Sequence, residues 1–180
     1  MFDPARFGGD TEHVFESVLG VDPGVSTLGL AVVGRRDRSP ALVFATTVRT
    51  PDGLDEPDRL RRIHDAVREA IAAHRPEAVA VERVAWNRNQ RTALHVARAT
   101  GVVLLAAAEA GLPVQEYGPL EVKMAVTGQG TADKGRVRDA LVRLHGLDGV
   151  PEQRDAADAV AVAVCHLTQS RLRRVAGLAT

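Results

Sequence analysis

An α/β fold, a five-stranded mixed sheet flanked by helices on both faces, is what three features of this sequence predict. Three apolar, β-branched runs follow one another across short turns, as in an antiparallel meander. Two more short apolar runs then alternate with helical stripes, the pattern of strands reached through crossover helices. Finally, 180 residues at 45% hydrophobic content suffice for one core, with no linker, repeat or low-complexity segment to mark a second domain.

The strands of the meander are expected near 15–22, 28–34 and 41–49. The first ends on Asp22-Pro23-Gly24, a turn signal that stops it abruptly. Leu60, Ile63, Val67 and Ile71 form one stripe of a helix over 58–73, closed by Pro76. Residues 77–82 run apolar without alternation, so this strand is expected in the sheet's centre, covered on both sides. A long helix over 89–110 stops at Gly111 before Pro113, and a fifth strand occupies 112–117. Helices near 119–126 and 133–145 follow. The last helix is expected over 152–170, with Pro151 in its first turn. Residues 1–14 read as a flexible extension, 15–170 as the folded domain, and 171–180, with Arg171, Arg173 and Arg174, as a basic tail.

Composition narrows the class. The single cysteine, Cys165, excludes an internal disulfide and a cysteine metal cluster, and its apolar surroundings make it a small buried hydrophobe. No stretch has the length and apolarity of a membrane span, and the acidic start lacks the pattern of a signal peptide, so a soluble cytoplasmic protein is expected. Net charge is zero, which weighs against a generic nucleic-acid binder. Its distribution points the other way. Acids gather in 1–16 and 52–58, whereas 83–108 carries Arg83, Arg88, Arg91 and Arg98 and no acid. Such asymmetry permits a phosphate-facing side, although a charge run is also what a solvated helix face looks like. The six histidines lack the spacing of a zinc motif, and His166 reads as structural.

The chemistry lies in the acids. Asp22 ends the first strand and Glu82 the fourth. If these strands are parallel neighbours, both carboxylates leave the sheet at one edge, where open α/β sheets place their sites. Asp155 and Asp158 stand three residues apart, on one helical face, within a run of small and apolar residues that must be buried. Taken singly, Asp22 could form an Asx turn and Asp155 could answer a helix dipole. Four converging carboxylates would instead repel one another and take up protons unless cations met them. All-oxygen ligation suits Mg²⁺ or Mn²⁺, and two such ions about 4 Å apart serve in-line phosphodiester displacement.

Residues 18–32 (VLGVDPGVSTLGLAV), 80–84 (AVERV), Tyr117 with Val122 and Lys123, Lys134, and residues 155–162 (DAADAVAV) together resemble the RuvC family of Holliday junction resolvases. The resemblance covers about 17–170, with its motifs in order. It implies an RNase H-like fold, with Asp22, Glu82, Asp155 and Asp158 as metal-binding and catalytic acids for two divalent ions. Cleavage would leave 5′-phosphate and 3′-hydroxyl ends. The chain's only lysines, Lys123 and Lys134, stand where the family carries lysines near the scissile phosphate. Arg83 and Arg88 are further expected DNA contacts. The family commonly has a stacking aromatic where this chain has Ala85; the sole tryptophan, Trp86, follows and could stack instead. The resemblance also implies four-way junction DNA and the RuvA and RuvB proteins as partners.

A homodimer is expected as well. The long helix is apolar around most of its circumference, more than one sheet face can cover, and a twofold dimer would match the symmetry of a four-way junction. Three rivals stand beside this reading. One is another RNase H-like nuclease or strand-transfer domain. A second is a non-catalytic junction-binding module. The third is a nucleotide-binding lobe with an actin-like phosphate hairpin, which would need a second lobe that this chain lacks.

Overall fold

The computed structural model describes residues 17–36, 39–83 and 90–175. Five strands, β1 (Ser17–Asp22), β2 (Thr27–Arg36), β3 (Ser39–Arg49), β4 (Ala78–Glu82) and β5 (Val114–Tyr117), form one sheet in the order β3-β2-β1-β4-β5. β1 is antiparallel to β2 and parallel to β4, and β4 is parallel to β5, so the sheet is mixed. Five helices accompany them: α1 (Glu56–His74), α2 (Gln90–Glu109), α3 (Pro119–Thr127), α4 (Lys134–Arg143) and α5 (Arg154–Val175).

Alternation along the strands divides the core in two. Leu19 and Val21 of β1, Leu28, Leu30 and Val32 of β2, and Val79 and Val81 of β4 turn to one face. There they pack on Ile63 and Val67 of α1 and on Ala99, Val103 and Ala106 of α2. Val18, Ala31, Val33 and Ala80 turn to the other, against Val160, Ala163 and Val164 of α5 with Val122, Val126 and Leu141 from α3 and α4. β4 lies between β1 and β5 with Ala78 to Val81 buried, as its unbroken apolar run predicts.

Both ends of α5 differ from expectation. The first backbone bond of α5 runs from the Ala157 N–H to the Gln153 carbonyl (3.0 Å), and the helix begins at Arg154, so Pro151 precedes it rather than occupying its first turn. At its other end α5 continues to Val175, into the segment assigned to the basic tail.

Two strand glycines set how α5 lies on the sheet. A Cβ on Gly20 would fall on the carbonyl oxygen of Ala159, and within 2.8 Å and 2.9 Å of the Ala163 nitrogen and Cβ. A Cβ on Gly29 would fall on the carbonyl oxygen of Asp155, 3.2 Å from the Ala156 nitrogen. Glycine inside a strand gives up side-chain packing, and here it allows the helix backbone to rest directly on the sheet. The small residues of α5 complete the approach from the other side.

Candidate active site

Strand register delivers the first two carboxylates. β1 and β4 pair in parallel from Val18↔Ala78 to Val21↔Val81, and each strand's next residue is an acid, Asp22 and Glu82. By alternation Asp22 shares a face with Val18 and Gly20, and Glu82 with Ala78 and Ala80; that is the face covered by α5. The seating of α5 on Gly20 and Gly29 then places its first turns over the same strand ends. Asp155 and Asp158, three residues apart, point to one side of it. All four acids line one cleft of about 400 Å³.

The opposite wall comes from α3 and α4. Tyr117 ends β5, and Gly118 and Pro119 turn the chain at once into α3, where Glu121 accepts a 2.6 Å bond from the Gly118 N–H. Lys123 therefore lies one turn into α3, on the cleft. Asp133 caps α4 by accepting from the Arg136 N–H at 2.9 Å, which sets Lys134 as the first helical residue. Its ammonium is bonded to the Asp158 carboxylate. Arg83 lines the cleft too, is exposed, and donates to the Glu116 carbonyl at 3.3 Å. Trp86 and Arg88 lie outside the described residues.

The electrostatics are those of crowded acids. Asp22 is pushed up to about 8, first by burial, then by the Glu82 and Asp158 charges, a bond to the Glu82 side chain, and Asp155. A half-buried carboxyl among three others keeps its proton because ionising it would add a fourth negative charge in a poorly solvated place. Among the described residues no three His, Cys, Asp or Glu side chains stand gathered into a group that would hold a metal ion. Asp22 and Glu82 bond each other, and Lys134 is bonded to Asp158. The donor set nevertheless fits a hard divalent cation, being all carboxylate, and such an ion would relieve the repulsion now met by a proton.

The remaining titratable side chains have other work. His64 bonds Glu109 at 2.9 Å and His95 bonds Glu56 at 2.6 Å, both between α1 and α2. His166 meets the Tyr117 hydroxyl at 3.0 Å. Burial and Glu121 push the Cys165 thiol up to about 12, which leaves it inert as a nucleophile. The sequence reading missed Gly20 and Gly29, which position α5. Glycine within an apolar strand was the available signal.

A mixed sheet in this order, carrying acids at the shared end of its two parallel central strands, is the frame of the RNase H-like nucleases. The family model described as crossover junction endodeoxyribonuclease RuvC matches residues 18–166, and the chain belongs to that family. The RuvC of Moorella thermoacetica is 47% identical, over 89% of this chain and 98% of its own length. That of Syntrophomonas wolfei is 44% identical, over 86% of this chain and 90% of its own. The solved structure of Thermus thermophilus RuvC in complex with a Holliday junction substrate superposes with a TM-score of 0.81 at 39% identity, covering 87% of this chain and 96% of that one. Across 18–166 the match takes in both strand-end acids, both lysines and the aspartate pair of α5.

Proposed function

We propose that this chain is a Holliday junction resolvase that nicks two opposed strands of a four-way junction symmetrically, for recombination and DNA repair. The observation that carries the reading is the meeting of Asp22, Glu82, Asp155 and Asp158 in one cleft whose far wall bears Lys123 and Lys134. Asp22, Glu82, Asp155 and Asp158 are the proposed catalytic acids and would hold two divalent cations, Mg²⁺ or Mn²⁺. Bound there, such ions supply an activated water and neutralise charge on the leaving 3′ oxygen. Lys123 and Lys134 would grip the scissile phosphate as compact point charges, and Arg83 a neighbouring one. Trp86 and Arg88 are assigned to the crossover, Trp86 stacking on an unpaired base.

A homodimer goes with this reading. Leu94 and Leu105, 52% and 53% exposed, stand on one side of α2 with the exposed Ala97, Gly101 and Ala108. An apolar stripe of that length fits a second copy, and a twofold pair of clefts would meet opposed strands. The nuclease unit would take in 15–170 and the rest of α5 to Val175, with 1–14 as an extension before it. RuvA and RuvB as partners rest on family membership alone. A cytoplasmic location would go with work on chromosomal DNA; no helix among the described residues is long and apolar enough to cross a membrane.

The test offers synthetic four-way junctions, linear duplex and an RNA–DNA hybrid with Mg²⁺ or Mn²⁺. Paired nicks confined to the junction, sealed by ligase and abolished by Asp22→Asn, are expected. Cleavage of the hybrid with junctions left whole would move the assignment to a ribonuclease. Tight junction binding without any cut would make the chain a binding module.

A further inference from the structure

The Lys134–Asp158 pair is an awkward arrangement for a site that must gather carboxylates around a cation. Asp158 sits against the cleft with its side chain only 21% exposed, while the side chain of Lys134 is 60% exposed at the start of α4. The ammonium therefore reaches in from the solvent side to meet one of the four acids. A bonded ammonium competes with a metal twice over: it occupies carboxylate lone pairs, and its charge lowers the potential that draws a divalent ion.

We propose that Lys134 stands in for the cation at Asp158 while the cleft holds no DNA, and that a phosphate which draws the ammonium away releases Asp158 to the metal. Lys134 is then a positioning residue that couples the two events. Metal affinity stays low in the free protein and rises when DNA is seated. By linkage, bound metal strengthens the grip on DNA by the same factor. A simpler structural role, in which Lys134 holds Asp158 in its ligating rotamer, predicts the opposite sign on removal of the lysine. The inference rests on the reading of the acid cluster as a metal site.

Mn²⁺ binding to the full chain, followed by electron paramagnetic resonance of the free ion, separates these cases. One series is run without DNA. The other uses a junction with cleavage-resistant phosphorodithioate linkages at its crossover. In the DNA-free series Lys134→Met is expected to bind Mn²⁺ about tenfold more tightly than the native chain, and Lys134→Arg, which keeps the charge, to stay near it. The junction is expected to tighten Mn²⁺ binding to the native chain by a similar factor and to Lys134→Met hardly at all. Unchanged or weaker DNA-free binding by Lys134→Met, or an undiminished junction effect in it, overturns the inference. If Asp22→Asn still loses Mn²⁺ in that event, the metal-site reading stands without it. If Asp22→Asn binds Mn²⁺ like the native chain, both fall.

Discussion

Asp22 carries the conflict between folding and function in a single side chain. Its carboxyl is pushed up from 3.8 to about 8 in the fold, because burial and three neighbouring acids oppose its charge. Between those values the unfolded chain has released a proton that the folded chain retains. Stability of the metal-free protein therefore falls as pH rises through that window and levels off above it. Thermal melts in EDTA from about pH 5 to about pH 8 are expected to show a steeper decline for the native chain than for Asp22→Asn, which has no charge to suppress. At the alkaline end the inactive variant is expected to melt a few degrees higher, and added Mn²⁺ to close the gap. Parallel curves for the two proteins would mean that Asp22 is not so confined. Such a trade, in which a proposed catalytic acid weakens the empty fold, is expected of a site that awaits a cation.

At the scale of elements, α5 is the part on which the site depends. It carries two of the four acids, and its height above the sheet is fixed by Gly20 and Gly29. Gly29→Ala would drive a methyl group into the Asp155 carbonyl, and backbone cannot yield as a flexible side chain does. The expected result is a loss of roughly 1–3 kcal/mol in stability, from urea melts, with junction cleavage reduced more than tenfold. Gel-shift affinity for the junction should change much less, because Lys123 and the α4 wall do not rest on that glycine. Loss of binding in step with cleavage would show general unfolding rather than a displaced helix. Most elements were legible in the sequence because their patterns were clean: short apolar runs between turn signals for the buried strands, a period of 3.6 for the stripe of Ile63 and Val67. The start of α5 was less so. Pro151 is a good first-turn residue in general, but the first helical bond is accepted by the Gln153 carbonyl, two residues further on.

At the scale of the whole molecule, the described residues leave an apolar stripe of α2 uncovered. The stripe of Leu94, Ala97, Gly101, Leu105 and Ala108 on α2 points away from the core that covers Ala99 and Val103. Size-exclusion chromatography with light scattering is expected to give a dimer at micromolar concentration. The pair Leu94→Glu with Leu105→Glu should bring it to monomer, since burying two facing carboxylates is far costlier than burying two leucines. Each monomer should retain its fold, and its nicks should lose their pairing. A native chain that elutes as a clean monomer would remove the symmetric mechanism.

By itself the sequence determined the order and type of the elements, the four acids and the two lysines, because chemistry and periodicity are local properties of a chain. Only the tertiary structure decided that β1 and β4 are parallel neighbours, that α5 lies directly on two glycines, and that Lys134 is bonded to Asp158. Those are facts of distance between residues far apart in sequence. They follow from how five helices pack on the two faces of one sheet, which no window of sequence contains.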